Sequence, residues 1–150
     1  MARQDHLYIL KQGTTQWNLW RQQHPNVEPD LSQVDLRKID LRGINFSRVN
    51  LRFANLGSAT LQDANLQGAN LNLASLRSAN VQAADLRGAD LSAADLTDAD
   101  LKGANLSSAN LRAADLTGAD MRAADVTQAN LDGAILDNVR WRERWWDRFR

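Results

Sequence analysis

The sequence predicts an all-β solenoid whose coils are square in cross-section. Every fifth residue from Leu31 to Leu136 is large and apolar, and we call this residue the centre of a five-residue block. The residue two places before it, the minus-two position, is also apolar and most often Ala. The minus-one residue between them is most often Asp or Asn. A strict short period of this kind is typical of repeat architectures.

The five-residue period itself predicts the shape of the coil. It fits neither an α-helix, which repeats about every 3.6 residues, nor a strand, which repeats about every two. A chain that buries its centre and minus-two residues in every block must turn once per block. Four turns close a square, so one coil takes four blocks and stacks on the next at about 4.7–4.9 Å. Residues 29–138 hold 22 blocks, which predicts about five and a half coils.

The block has the form Ala-(Asp/Asn)-Leu-x-x, as at residues 64–68 and 89–93. It resembles the repeat of the pentapeptide repeat proteins. The resemblance covers residues 29–138 and implies that the β-helix is right-handed and quadrilateral. The segment before it, with Trp17 and Trp20, is similar to the helical lead-in of cyanobacterial members of the family.

Residues 1–28 are predicted to form a helical cap. The apolar run at residues 7–10 predicts a short helix that ends at Gly13, and we expect Thr14 or Thr15 to cap a second helix. An open β-helix end exposes unpaired backbone groups and invites aggregation, so each end needs a cover.

The first coil is predicted to be wider than the others and to lie under these helices. Its minus-two residues are branched, whereas the same positions one coil later are all Ala, and it holds the one aromatic centre, Phe46. We expect all four branched residues to be covered: Val34, Ile39, Ile44 and Val49.

Residues 139–150 predict a C-terminal amphipathic helix. Trp141, Trp145 and Phe149 recur at four-residue spacing, with Trp146 on the same side. Two interpretations remain open. The helix seals the last coil, or it presents basic and aromatic side chains to a partner protein or a membrane surface.

The residue types argue against catalysis. The chain has no Cys, which excludes disulfides and thiolate nucleophiles. His6 and His24 lie outside the repeats without ligand partners near them in sequence, and no phosphate-binding loop or zinc spacing occurs. We therefore predict a protein that is not an enzyme and uses no cofactor or metal.

The N-terminus shows no secretory or membrane-spanning pattern, and we therefore predict a cytoplasmic location.

Acidic residues at minus-one positions form a candidate acidic face. The simpler interpretation is that they shape the corners. The alternative comes from the quinolone-resistance members of the family, which resemble B-DNA and bind a topoisomerase. Short length, zero net charge and an uninterrupted repeat weigh against this alternative, and direct binding to nucleic acid is not expected. The candidate residues are Asp85, Asp95, Asp100, Asp115, Asp120 and Asp125.

Phe53 and Leu73 provide a candidate interaction surface. Both occupy plus-two positions, two residues after a centre, where side chains are expected to face solvent. They lie 20 residues apart and therefore stack on one face, and smaller residues continue the column. We expect this pair, with the aromatic residues of the C-terminal tail, to contact a partner. Incidental exposure is the simpler alternative.

The leading functional hypothesis is a protein–protein interaction or scaffold protein with an unknown protein partner, itself a monomer or weak dimer. The alternatives are a DNA-mimic regulator of a topoisomerase or another nucleic-acid enzyme, and a membrane-surface adaptor that uses the Trp/Arg tail.

Overall fold

The computed structural model describes residues 1–141. Two helices open the chain, α1 at Gln4–Lys11 and α2 at Thr14–Gln23. Parallel β-bridges then join residues 20 apart, from Asp30 with Asn50 to Asp120 with Arg140. Within the described residues every bridge is a single-residue pair rather than part of a longer strand. The result is a four-sided β-solenoid.

Each block that has a coil on both sides makes three kinds of backbone hydrogen bond along the stack. The centre N–H donates to the minus-one carbonyl 19 residues later, as Leu31 does to Asn50 at 2.8 Å. The plus-two N–H donates in the same direction, as Gln33 does to Arg52 at 2.9 Å. The minus-one N–H donates the other way, as Asn50 does to the Pro29 carbonyl at 2.8 Å. The backbone alone therefore enforces the register.

A tight turn forms the corner of every block. The minus-two N–H donates to the preceding centre carbonyl, as Ala64 does to Leu61 at 3.0 Å. All 22 plus-two residues have a positive φ, between 53° and 71°. This is the left-handed conformation that the third residue of a type II turn requires.

The Asp and Asn side chains at minus-one positions complete the corner. Their Oδ1 atoms accept a hydrogen bond from the plus-one N–H, the amide that the ladder leaves unpaired. This bond occurs after all 19 Asp or Asn residues at these positions. In the three remaining blocks Thr60, Ser75 and Ile135 stand instead. Each corner thus has one backbone amide that needs an acceptor, and this explains the preference for Asp or Asn.

Asn65→Ala is expected to destabilise the fold by about 0.5–1.5 kcal/mol, because it leaves the Gln67 N–H without the Oδ1 acceptor at 3.0 Å. Ser75→Ala is the matched control, since Ser75 makes no such bond, and we expect a change within about 0.5 kcal/mol. Ser75→Asn should stabilise, because it supplies the missing acceptor. Urea denaturation measures all three, and equal midpoints for Asn65→Ala and Ser75→Ala would contradict the assignment.

The core is a column of large and small side chains. From Leu41 to Met121 the centres are buried, as are the Ala residues between them. In the last described coil Val126 and Leu131 are only partly buried and Leu136 is 39% exposed. Within residues 1–141, no further coil covers them.

The repeat extends beyond the predicted boundary at residue 138. Arg140 pairs with Asp120 in the ladder, so residues 139 and 140 belong to the last coil rather than to a C-terminal helix. Trp141 follows directly and is exposed. Most of the predicted C-terminal helix, including Trp145, Trp146 and Phe149, lies outside the described residues.

The N-terminal helices contact one half of the first coil. Trp17 is fully buried edge-on against Phe46, with ring centroids 5.6 Å apart, and its indole N–H donates to the Asn45 carbonyl at 2.7 Å.

The expectation that Thr14 or Thr15 caps α2 is wrong. Gly13 precedes α2 with φ 101°, and no side chain caps the helix.

The prediction that all four branched residues of the first coil are covered is also wrong. Ile44 and Val49 are buried under the helices, whereas Val34 is half-buried and Ile39 is 46% exposed. The cause is the position of the helices, whose contacts reach the sides that contain Asp30 and Asn45.

Candidate interaction surface

Phe53 and Leu73 lie on one face of the solenoid, as the spacing predicts. Their side chains are 47% and 43% exposed, and their φ angles are 59° and 58°. Ala93 and Ala113 continue the column at exposed positions. The sequence thus places two large apolar side chains next to small ones on an open face.

The conformation of this pair is costly. Bulky side chains seldom adopt the left-handed region, where Gly is favoured. Among the non-Gly residues with positive φ in the described chain, Phe53 and Leu73 are the large apolar ones; the others are polar or Ala. Large apolar residues therefore occupy two positions where both exposure and backbone geometry favour other residues, which is consistent with a role in binding.

A polar row fixes the surface beside the pair. The Arg52 guanidinium lies 4.8 Å from the centroid of the Phe53 ring, within the range of a cation–π contact. Arg52 Nε donates to Asn72 Oδ1 at 3.0 Å, and Asn72 Nδ2 donates to the Ser92 Oγ at 2.9 Å. Sequence reasoning missed Arg52, because the contact depends on its side-chain conformation.

The six candidate acidic residues are distributed over three sides of the solenoid, because their ladders join Asp85 to Asn105, Asp95 to Asp115 and Asp100 to Asp120. They do not form one continuous face.

Cations pair with half of these carboxylates. Arg87 Nη2 lies 2.6 Å from Asp85, Lys102 Nζ lies 3.2 Å from Asp100, and Arg122 Nη2 lies 2.7 Å from Asp120. Hydrogen bonds from the arginines lower the pKa of both Asp85 and Asp120. These pairs reduce the negative potential that a phosphate mimic needs.

Hydroxyl and backbone groups hold the other three carboxylates. The Thr117 hydroxyl donates to Asp115 at 2.6 Å and lowers the pKa of that carboxyl. Thr127 does the same for Asp125 at 2.6 Å. Asp95 accepts the backbone N–H two residues later, as its neighbours do. The two hydroxyl contacts favour the charged forms of Asp115 and Asp125, and all three carboxylates serve as corner residues.

Both histidines pack at the N-terminal end. His6 is buried and its Nδ1 accepts the Asp30 N–H at 3.0 Å. His24 stacks on Trp20, with ring centroids 5.1 Å apart.

Residues 1–141 contain no group of three or more acidic or His side chains arranged to hold a metal ion. None of the helices in the same range is long and apolar enough to span a membrane.

The uncovered half of the first coil borders a cleft that the sequence did not indicate. Its volume is about 320 Å³, and its apolar lining includes Leu7, Leu10, Leu36 and Ile39. No sequence signal could have found it, since it depends on how α1 lies against the coil.

Comparison with protein families matches the family described as Pentapeptide repeats, with eight copies, at residues 30–68, 54–92 and 94–133. A search of curated protein sequences gives no match.

Solved structures of known proteins resemble the chain. A pentapeptide repeat protein (Rfr23) from the cyanobacterium Cyanothece 51142 is 28% identical, with a TM-score of 0.73, over 83% of this chain and 97% of that one. A pentapeptide repeat protein from the Arabidopsis thaliana thylakoid lumen is 34% identical, with a TM-score of 0.53, over 61% and 67%. QnrB1, a plasmid-mediated fluoroquinolone resistance protein, is 18% identical, with a TM-score of 0.51, over 76% and 68%.

Proposed function

The chain belongs to the pentapeptide repeat family, whose fold is the right-handed quadrilateral β-helix, and we propose that it is a non-enzymatic protein that binds another protein through an exposed face. The observation that carries the proposal is the pair Phe53 and Leu73, exposed on one face with Arg52 over the aromatic ring. Aromatic residues and Arg are enriched at the centres of protein interfaces.

The narrow width of the column sets the kind of interface. A specific interface normally buries about 1,000 Å² or more in total. Two side chains and their polar row supply only its centre, so the partner must also contact the sides that flank the column. Self-association through the column alone is expected to be weak. The rigid ladder holds the surface in one conformation, which lowers the entropic cost of binding.

Changing Phe53→Ser together with Leu73→Ser tests the proposal. We expect the variant to lose capture of its partner, or to sediment as a monomer where the parent self-associates, while its circular dichroism stays unchanged. The matched control is Ala83→Ser with Ala123→Ser, which alters the same turn position on another side of the solenoid. If the Phe53 and Leu73 variant equals both parent and control in partner capture and in sedimentation, the column is incidental surface.

The DNA-mimic hypothesis has weaker support. At 18% identity, the likeness to QnrB1 carries the fold alone. Three of the six candidate carboxylates are neutralised by neighbouring cations. The membrane-surface hypothesis depends on residues 140–150, of which only Arg140 and Trp141 lie within the described chain. A gyrase supercoiling assay tests the first alternative, and liposome co-sedimentation with and without residues 140–150 tests the second.

A further inference from the structure

The N-terminal edge of the first coil is paired on two of its four sides. The Asp30 N–H donates to the His6 imidazole at 3.0 Å. The Asn45 N–H donates to the Asn18 side-chain oxygen at 2.7 Å, and the Asn45 carbonyl accepts from the Trp17 indole at 2.7 Å. On these sides the helices supply the donors and acceptors that a preceding coil would supply.

The other two sides of this edge are bare. The N–H groups of Asp35 and Asp40 have no acceptor among residues 1–141. One coil later the equivalent Asn55 N–H donates to the Val34 carbonyl at 2.8 Å, which shows that the Asp35 N–H points away from the stack. The Asp35 carbonyl likewise accepts no hydrogen bond within the described residues. We call residues 34–41 the bare edge.

The bare edge lies beside the apolar cleft. The cleft of about 320 Å³ is bounded by Leu7 and Leu10 of α1 and by Leu36 and Ile39 of the coil. Its volume lies at the lower end of the range of about 300–1,000 Å³ seen for ligand pockets. An edge with free backbone groups next to a pocket for side chains is the arrangement by which proteins add an extended peptide to a sheet.

The charge around the bare edge is positive. Asp35 and Asp40 are each paired with the arginine two residues later, at 2.6 Å. Lys11 lines the cleft, and Lys38 lines a shallower depression that shares Asp35 with it. Neither lysine has an ion-pair partner in the part of the chain that the structure describes. The surplus of cations favours an acidic ligand.

We propose that the cleft between α1 and the bare edge binds an extended segment of a partner protein that alternates acidic and apolar residues. Its backbone pairs with the free N–H and carbonyl groups of Asp35 on one side and bends with the corner at Lys38 to reach the Asp40 N–H on the next side. Its apolar side chains enter the cleft beside Ile39, and its carboxylates face Lys11 and Lys38. An alkyl carboxylate fits less well, because it has no donor for the Asp35 carbonyl. This site is separate from the Phe53 and Leu73 column and goes beyond the function proposed above.

A synthetic hexapeptide of alternating Glu and Val, labelled with fluorescein, tests the site by fluorescence anisotropy on the full chain. We expect saturable binding, and binding of the matching Lys and Val hexapeptide that is at least about tenfold weaker. Lys11→Glu with Lys38→Glu should weaken binding of the acidic peptide by about tenfold or more. Arg77→Glu with Arg112→Glu changes the net charge equally on later coils and should leave the affinity within about twofold.

Amide hydrogen exchange by NMR supplies a readout that charge attraction alone would not move. The Asp35 and Asp40 amides are expected to become protected from exchange when the Glu and Val peptide is added. The exchange rate of the amide of Arg77, an exposed residue on a later coil, should stay unchanged. The proposal is overturned if the peptide does not bind. It is also overturned if the double lysine variant and the double arginine variant lose the same affinity, or if the bound peptide leaves both Asp amides unprotected. Phe53→Ser with Leu73→Ser should bind the peptide as the parent does, which separates this site from the column.

Discussion

Removal of residues 1–28 is expected to turn the protein into an aggregating species. The deletion strips Trp17 from Phe46 and uncovers Ile44 and Val49, all of which are fully buried in the intact chain. It also leaves the backbone groups of Asn45 without their partners. An apolar end with free N–H and carbonyl groups is a template for edge-to-edge pairing. Light scattering coupled to size-exclusion chromatography measures the outcome.

Trp17→Ala provides a milder form of the same test. It should cost about 3–5 kcal/mol, because it opens a cavity against Phe46 and removes the indole donor to Asn45 at 2.7 Å. Tyr8→Ala is the control, since Tyr8 is an exposed aromatic residue of α1 and its removal should change stability little.

For the deletion of residues 1–28, a truncated protein that stays monomeric and keeps its melting temperature would show that the helices do not protect this end.

Ala84→Leu is expected to destabilise the solenoid by about 1–3 kcal/mol or more through overpacking. Ala84 is buried to 1% exposure in the interior, where four minus-two side chains of a coil converge. Its neighbour Ala83 occupies an exposed plus-two position with φ 53°. Ala83→Leu is therefore the matched control and should cost less, because the added side chain extends into solvent and does not overpack the core. Chemical denaturation ranks the two, and the reverse order would mean that inward and outward positions are misassigned.

The repeated part of the fold was predictable because every block solves the same local problem. The centre, the minus-two Ala and the corner residue are each determined within five residues, so the pattern also placed Phe53 and Leu73 on an outer face. The role of Asp and Asn was predicted only as corner formation. The hydrogen bond that the Gln67 N–H donates to Asn65 Oδ1 gives the physical reason for this role.

The N-terminal end was not predictable to the same degree. Val34 and Ile39 have the same side-chain class as Ile44 and Val49, yet their burial differs. That difference comes from the placement of two helices that follow no repeat. The contact between Arg52 and Phe53 depends on a side-chain rotamer, which a periodic pattern does not encode.

The corner hydrogen bond separates surface charge from structural stability. Asn70 and Asp90 are stacked in one ladder, and each accepts the backbone N–H two residues later through its own Oδ1 atom, at 3.1 and 3.0 Å. Exchange of one for the other alters the charge by one unit and leaves the bond in place. Along each side these residues recur at about the spacing of adjacent strands, 4.7–4.9 Å. Exchanges of Asp and Asn during evolution can therefore change the surface charge of this solenoid one position at a time, while the hydrogen bonds that stabilise its corners are kept.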